Sequence, residues 1–192
     1  MSKMIEIRWH GRGGQGAKTA ALLLADAALA SGKYVQAFPE YGPERMGAPV
    51  ASFDRISSEP ILLHSGVAHP SIVVVLDPTL METVPVTDGM PADGTIVINT
   101  NKCPADMRKE IGAGDAMKVF TVDASTISVE SIGKDIPNTP LLGALIKATG
   151  LLDFTEMLED MKKKLEKKFK SKPEVVAGNL KAIERAYKEV KS

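Results

Sequence analysis

The sequence is poor in cysteine and aromatic residues, and neither sign of charge dominates. Its 192 residues include a single cysteine, Cys103, and aromatic residues make up 5% of the chain. One thiol cannot close an internal disulfide, build a zinc site from several cysteines, or hold an iron–sulfur cluster alone. Because 24 Lys and Arg residues balance 24 Asp and Glu residues, no net field attracts the chain to nucleic acid or to an anionic membrane.

Long hydrophobic runs are missing as well. The apolar segments fall well short of the ~20 residues that a membrane-spanning helix needs. Residues 1–4 lead directly into a strand-like segment, without the apolar core and cleavage site of a signal peptide. We therefore expect a cytoplasmic protein, and we expect any redox chemistry it serves to be carried by other chains.

The sequence does contain the alternation of an α/β domain over residues 1–150. Short apolar or β-branched segments alternate with helical and glycine-rich ones. The predicted strands are 5–9, 34–38, 50–56, 72–76, 95–99 and 118–122. Three helices are predicted. The first spans 17–30, the second is capped by Asp123 and runs to about Ile132, and the third is capped by Asn138 or Thr139. The pattern predicts a mainly parallel, mixed sheet with helices on both faces, a Rossmann-like three-layer sandwich.

From residue 151 to 192 the pattern is helical throughout. Two apolar stripes recur at spacings of three and four residues, and they predict a C-terminal helical hairpin that packs on the same domain. One stripe contains Phe154, Met157, Leu158, Met161, Leu165 and Phe169, and the other Val176, Leu180, Ile183, Tyr187 and Val190. The basic cluster from Lys162 to Lys172 is interpreted as a solvated helix face and helix end. The alternative is a docking surface for an acidic partner.

A glycine-rich loop between the first strand and the first helix is the most informative motif. Gly11, Gly13 and Gly16 fit the pattern G-x-G-x-x-G, and glycine lets a ligand approach backbone N–H groups closely. Lys18 opposes the helix dipole, which is easier to explain if an anion binds there. The candidate phosphate-binding residues are Gly11, Arg12, Gly13, Gly14, Gln15, Gly16, Lys18 and Thr19. The alternative is a tight strand-to-helix turn with a solvated lysine.

Two specific nucleotide-binding interpretations of this loop are weak. A Walker A loop needs lysine directly after the last glycine, and here Ala17 intervenes. A dinucleotide-binding fold needs an acidic residue at the tip of the second strand, but Glu40 follows a proline that redirects the chain. A free-standing NAD- or ATP-binding domain stays an alternative hypothesis.

A second loop, residues 36–49, combines apolar and charged side chains with stiffening proline and glycine. Such loops are typical of protein interfaces, since these groups contribute contact area at a low entropic cost. The candidate interface residues are Phe38, Tyr41, Glu44, Arg45 and Met46. The alternative is an ordinary loop that packs its own aromatic side chains.

The remaining polar residues support no further site. His10, His64 and His69 are too scattered in the sequence for a metal site or a catalytic triad, although His10 borders the glycine loop and could touch a ligand. Cys103 is interpreted as a thiol without a role. Asp77, which precedes Pro78, is interpreted as part of a turn and not as a catalytic carboxylate.

The two loops together resemble the γ subunits of the 2-oxoacid:ferredoxin oxidoreductase family, most closely those of the pyruvate type. The similarity covers nearly the whole chain and rests on long shared sequence segments. They are residues 6–17, 32–42, 44–45, 47–49, 73–77 and 136–144.

This resemblance implies a complex of α, β, γ and δ chains that converts pyruvate, CoA and oxidised ferredoxin reversibly into acetyl-CoA, CO₂ and reduced ferredoxin. It implies that thiamine diphosphate, magnesium and iron–sulfur (4Fe-4S) clusters are held by the partner chains, so we assign no catalytic residue and no metal site here. It also implicates the γ chain in binding CoA. The glycine loop is then the expected contact for CoA phosphate, and a pure scaffold role is the remaining alternative.

Overall fold

The computed structural model describes residues 4–40 and 46–192, which fold around one six-stranded sheet. The strands are β1 (Ile5–Arg12), β2 (Tyr34–Pro39), β3 (Pro49–Ser57), β4 (Ile72–Val75), β5 (Thr95–Asn99) and β6 (Lys118–Val122). The helices are α1 (Ala17–Ala30), α2 (Pro104–Glu110), α3 (Ala124–Ile132), α4 (Asn138–Thr149), α5 (Phe154–Lys168) and α6 (Pro173–Glu189), with a short 3-10 helix at Pro78–Glu82.

The strand order is β2-β3-β1-β4-β5-β6, and the sheet is mixed. Strands β1, β4, β5 and β6 are mutually parallel, whereas β3 runs antiparallel to both β1 and β2. All residues of β4 and β5 are buried, as continuous β-branched runs in a covered parallel sheet should be. The predicted mixed α/β sheet is therefore confirmed.

Helices cover both faces of the sheet, but unequally. On one face, α1, α3, α4, α5 and α6 enclose the larger core around Trp9, Val74 and Val97. On the other face, α2 and the loops after the 3-10 helix cover a smaller core around Val75 and Ile98.

The C-terminal helices contribute to the larger core. Asp153 caps α5 by accepting a hydrogen bond from the Glu156 N–H at 2.9 Å. Helix α6 packs on α3, α4 and α5, and it approaches α4 so closely at Gly143 that a Cβ there would clash with the Ile183 carbonyl. Residues of α5 and α6 are therefore buried against the sheet domain, within the larger core.

Three details differ from the sequence prediction. Strand β1 continues to Arg12, because Arg12 still pairs with Pro49 of β3. Helix α2 was not indicated, since it is seven residues long and buries only Met107. Helix α4 begins at Asn138 after Pro137, without a side-chain cap. No helix in the described part of the chain combines the length and hydropathy needed to span a membrane.

A carboxyl group is buried in the sheet between β1 and β3. Asp54 is 0% exposed, and its Oδ2 accepts a hydrogen bond from Trp9 Nε1 at 2.7 Å. Its Oδ1 has no partner among the described residues. Burial raises the pKa of Asp54 well above its ordinary value, although the Trp9 hydrogen bond lowers it in part. This shift favours the protonated form of the Asp54 carboxyl group in the folded protein.

We expect Asp54→Asn to make unfolding less sensitive to pH. The raised pKa means that the folded state binds a proton that the unfolded state loses above about pH 4, so wild-type stability falls as pH rises from there. The neutral amide removes this dependence, and the stability of the variant relative to wild type should increase as the pH rises above about 4. Urea denaturation followed by fluorescence of Trp9, the chain's one tryptophan, measures it.

The control for this experiment is Asp115→Asn, because Asp115 is exposed. It should leave the pH profile unchanged. Equal pH profiles for wild type and the Asp54 variant would contradict a protonated buried carboxyl group.

Candidate functional site

The glycine loop bends sharply between β1 and α1. Gly14 has φ 101° and Gly16 has φ 85°, which is left-handed backbone that favours glycine. A Cβ on Gly16 would also lie 2.5 Å from Asn138 Nδ2, at the start of α4. Two of the glycines are thus required by the turn itself, and Gly16 also by the close approach of α4.

The N–H groups of this loop divide into paired and open ones. Gly13 donates to the Ala48 carbonyl at 2.9 Å, and Gln15 donates to the Arg12 carbonyl at 3.0 Å. The N-cap residue of helix α1 is Gly16, which has no side chain to cap the helix, and the first turn of α1 contains no acidic residue. Its first N–H groups have no intrahelical acceptor, so the positive end of the helix is open to an anion.

Two predicted phosphate-binding side chains are engaged within the chain. Arg12 Nε lies 3.0 Å from Asp77 Oδ2, and its other nitrogens donate to the Gly47 carbonyl and to Thr79 Oγ1. Gln15 Nε2 donates to the same Asp77 oxygen at 3.0 Å, while Gln15 Oε1 accepts from the Arg12 N–H. Arg12 and Gln15 therefore hold the loop in shape, and Lys18 and Thr19 are the side chains left open beside it.

Asp77 is the acceptor at the centre of this arrangement. It follows β4, which lies parallel to β1, so both strands deliver their C-terminal ends to the same sheet edge. Burial acts to raise the pKa of Asp77, but hydrogen bonds from Thr79 and Gln15 and the charge of Arg12 lower the pKa below its ordinary value. Asp77 is consequently ionised at neutral pH.

A cavity of about 470 Å³ lies between the loop and the antiparallel strands, and we call it the strand-side cavity. Its lining includes Arg12, Gly13, Gly14, Gly16, Ala17, Lys18, Thr19, Pro39, Glu40, Met46, Val50, Ala51 and Ser52. Lys18 contributes an exposed positive charge, and Glu40 contributes a negative one. The apolar part of the lining, formed by Met46, Val50 and Ala51, suits a ligand that is only partly charged.

The second loop is tied to the glycine loop at Gly47, whose N–H donates to the Gly13 carbonyl at 3.1 Å. Met46 is 94% exposed beside this contact. Phe38 is partly buried, with its ring 5.4 Å from that of Phe53 and below the guanidinium of Arg55. Phe38 thus packs within the chain. The other predicted interface residues, Tyr41, Glu44 and Arg45, lie outside the described residues.

The histidine next to the loop is not open to a ligand. His10 is 7% exposed, and burial, helped by the charge of Arg8, lowers the pKa of His10 to about 4. It is therefore neutral at physiological pH. Within the described ranges, no three or more His, Cys, Asp or Glu residues come together as a metal site would require.

Sequence reasoning missed Asp77 and Asn138 as residues of the site. Asp77 was expected in a turn, and it does cap the 3-10 helix by accepting the Thr79 N–H. The ion pair of Asp77 with Arg12 forms because β4 lies beside β1. No local sequence pattern predicts that pairing of strands. The one available signal was position, because Asp77 directly follows a buried parallel strand.

A mixed α/β sheet with a glycine turn between β1 and α1 at its C-terminal edge places the chain among open-sheet α/β proteins, whose ligand sites lie at that edge. Within that class, the family model for pyruvate ferredoxin/flavodoxin oxidoreductase matches residues 6–189. The chain belongs to this family, which confirms the resemblance seen in the sequence.

Curated relatives support the same assignment. The pyruvate synthase subunit PorC of Thermotoga maritima is 48% identical over 191 residues, covering 98% of this chain and 96% of the relative. The pyruvate/ketoisovalerate oxidoreductases common subunit gamma of Pyrococcus abyssi is 52% identical over 149 residues, covering 78% of this chain and 80% of the relative. Neither supports a free-standing NAD- or ATP-binding domain.

Solved structures share the fold. The crystal structure of the pyruvate oxidoreductase subunit PORC of Thermotoga maritima matches with a TM-score of 0.84 at 46% identity, over 98% of both chains. The 2-oxoglutarate:ferredoxin oxidoreductase of Magnetococcus marinus, solved with 2-oxoglutarate, coenzyme A and succinyl-CoA bound, matches with a TM-score of 0.75 at 21% identity. That match covers 96% of this chain and 30% of the larger one, and it shows the fold alone.

We expect Asp77→Asn to destabilise the protein by about 1–2 kcal/mol, since it weakens a cap and a charged hydrogen-bond cluster. Because the folded pKa lies below the ordinary value of 3.8, the wild-type advantage is present above that pH and is lost as the pH falls through the lowered pKa. Urea denaturation at pH 7 and at pH 3 measures both effects. Asp93→Asn, at an exposed position, is the control, and equal losses in the two variants would disprove the role of Asp77.

Proposed function

We propose that this chain is the γ subunit of a cytoplasmic pyruvate:ferredoxin oxidoreductase, or pyruvate synthase. The complex cleaves pyruvate to CO₂, transfers the acetyl group to the CoA thiol, and passes the two electrons singly to ferredoxin. The proposal is supported by family membership over residues 6–189 and by the relatives described above.

The chemistry of electron transfer and carbanion formation belongs to other chains in this proposal. Cys103, the one cysteine, is exposed and donates to Asp106 at 3.1 Å, so this chain cannot supply the several thiolates of a cluster. We assign thiamine diphosphate, magnesium and the iron–sulfur clusters to the α, β and δ subunits, with ferredoxin as the carrier. The γ subunit then contributes substrate binding and assembly.

The choice of 2-oxoacid also belongs elsewhere. The Pyrococcus abyssi relative is named as a subunit common to pyruvate and ketoisovalerate oxidoreductases. A chain that serves two oxoacids cannot be the one that selects between them. We therefore place oxoacid selection on the partner chains and the shared reactant, CoA, on the γ subunit.

The observation that carries the CoA assignment is the open start of α1. Its N–H groups lie beside Lys18 and Thr19, with no carboxylate in the first turn. CoA carries a diphosphate and a 3′-phosphate, and such groups bind at helix N-termini. The Magnetococcus marinus enzyme that shares this fold was solved with coenzyme A bound. Held there, CoA would be oriented with its thiol towards the partner chain that carries the thiamine intermediate.

We expect Lys18→Gln to raise the apparent KM for CoA of the assembled complex roughly fivefold, the effect of about 1 kcal/mol lost from an exposed charge contact. At saturating CoA, kcat should change little, because Lys18 binds the substrate and the transition state equally. Steady-state kinetics with pyruvate and ferredoxin measure both constants.

Lys33→Gln is the matched control, since Lys33 is exposed just past the opposite end of α1. It removes the same charge and should leave the KM for CoA unchanged. An unchanged KM in the Lys18 variant would refute the assignment of CoA phosphate to the start of α1.

The second loop is the proposed contact with partner subunits. Met46 is 94% exposed while lining the strand-side cavity, and an exposed Met beside a substrate cavity suits an interface. Gly47 and Ala48 pair with Gly13, so the same backbone would join the partner surface to the CoA loop.

We expect Met46→Asp to weaken association with the partner chains at least about tenfold, since it places a charge in a desolvated contact. The isolated chain should keep its stability because the side chain is exposed. Sedimentation with purified partners measures assembly, and Leu29→Asp, at a 59% exposed position at the far end of α1, is the control. Normal assembly of the Met46 variant would remove this residue from the interface.

A further inference from the structure

A second cavity lies on the opposite side of the glycine loop, between α1 and the other helices of the larger core. Its volume is about 450 Å³, and we call it the helix-side cavity. It shares Gly14, Gly16 and Thr19 with the strand-side cavity. The glycine loop is therefore a wall between two cavities, and the family assignment explains neither the presence nor the charge of the second.

The charge of the helix-side cavity is one-sided. Lys134, Lys164, Lys168 and Lys172 line it, and no carboxylate is among its lining residues in the described part of the chain. The charge of Lys164 is balanced by an ion pair, in which its Nζ lies 2.6 Å from Asp160 Oδ2. No ion pair between described residues involves the other three lysines. The strand-side cavity, in contrast, combines Lys18 with Glu40.

Three helices begin at the helix-side cavity. Gly16 precedes α1, Asn138 starts α4, and Lys172 precedes α6, and none of these starts has a side-chain cap. Lysine at the end of α5 suits the dipole of that helix. At the start of α6, Lys172 opposes the helix dipole, whereas Glu174 in the first turn suits it. A cluster of positive groups around one hollow raises the energy of the empty protein, and an anion would lower it.

Part of the cavity wall is buried, although Lys134, Lys168 and Lys172 are exposed. Asn138 is 7% exposed, and its Nδ2 makes only a 3.5 Å contact with the Gly16 carbonyl, so this amide can donate to a ligand. Ser128 Oγ binds the backbone on both sides of Asp135, donating to the Lys134 carbonyl at 2.6 Å and accepting the Ile136 N–H at 3.0 Å. Phe169 and Leu165 add an apolar surface.

We propose that the helix-side cavity binds the phosphate groups of a nucleoside phosphate, with Lys134, Lys168 and Lys172 as the counter-charges. The apolar surface of Phe169 takes the base or ribose. The ligand chemistry fits two sources, a free nucleotide and the nucleotide end of CoA. The proposal does not depend on Lys18, because Lys18 lines only the strand-side cavity.

The test uses the full-length chain, with ADP as the probe and isothermal titration calorimetry as the measurement. The double variant Lys134→Gln with Lys172→Gln should weaken ADP binding at least about tenfold, since it removes two charge-assisted contacts. Adenosine, which lacks phosphate, should bind at least about tenfold more weakly than ADP.

Lys167→Gln is the matched control, because Lys167 is exposed on α5 and does not line the cavity. It should bind ADP as the wild type does. Both lysines of the double variant are exposed, so far-UV circular dichroism should show an intact fold. Absence of ADP binding to the wild-type chain, or equal binding by the double variant, overturns the proposal.

A competition experiment identifies the source of the ligand. If saturating CoA displaces ADP, the cavity holds the nucleotide end of CoA. If ADP binds the CoA-saturated chain with unchanged affinity, the cavity is a separate nucleotide site. Both results support a phosphate site at the helix-side cavity. The kinetics of the Lys18 variant test the proposed function separately.

Discussion

The carboxylate of Asp77 sets the geometry on which the candidate site depends. It accepts from Arg12 and Gln15 of the glycine loop and from Thr79 of its own turn. By engaging these side chains it fixes a turn that glycine alone would leave free, because Gly14 and Gly16 lose more conformational entropy on ordering than other residues. The fixed turn then leaves the start of α1 uncapped and open.

This arrangement also joins the second loop to the first. Arg12 donates to the Gly47 carbonyl, and the backbone of residues 47–48 pairs with Gly13. These hydrogen bonds connect the glycine loop directly to the backbone next to Met46. If CoA binds at this loop and reacts on another chain, as proposed above, such a link would let substrate binding and subunit contact reinforce each other.

The overall neutrality of the chain hides a local concentration of charge. Positive groups gather where α1, α4 and α6 begin, and among the described residues the lining of the cavity there contains no carboxylate, although Glu174 lies in the first turn of α6. A neutral protein can thus present a positive hollow at short range and still avoid long-range attraction to unrelated polyanions.

The sequence by itself determined the α/β class, the six strands to within a few residues, the glycine turn and the family, because period, turn chemistry and long shared phrases are local properties. Only the tertiary structure decided that Arg12 faces Asp77, 65 residues away, that Phe38 packs inward against Phe53, and that lysines of three different chain segments surround one cavity. Strand order and helix packing bring these residues together. Strand order and helix packing depend on the burial of apolar groups summed over the whole chain, so no single segment encodes them.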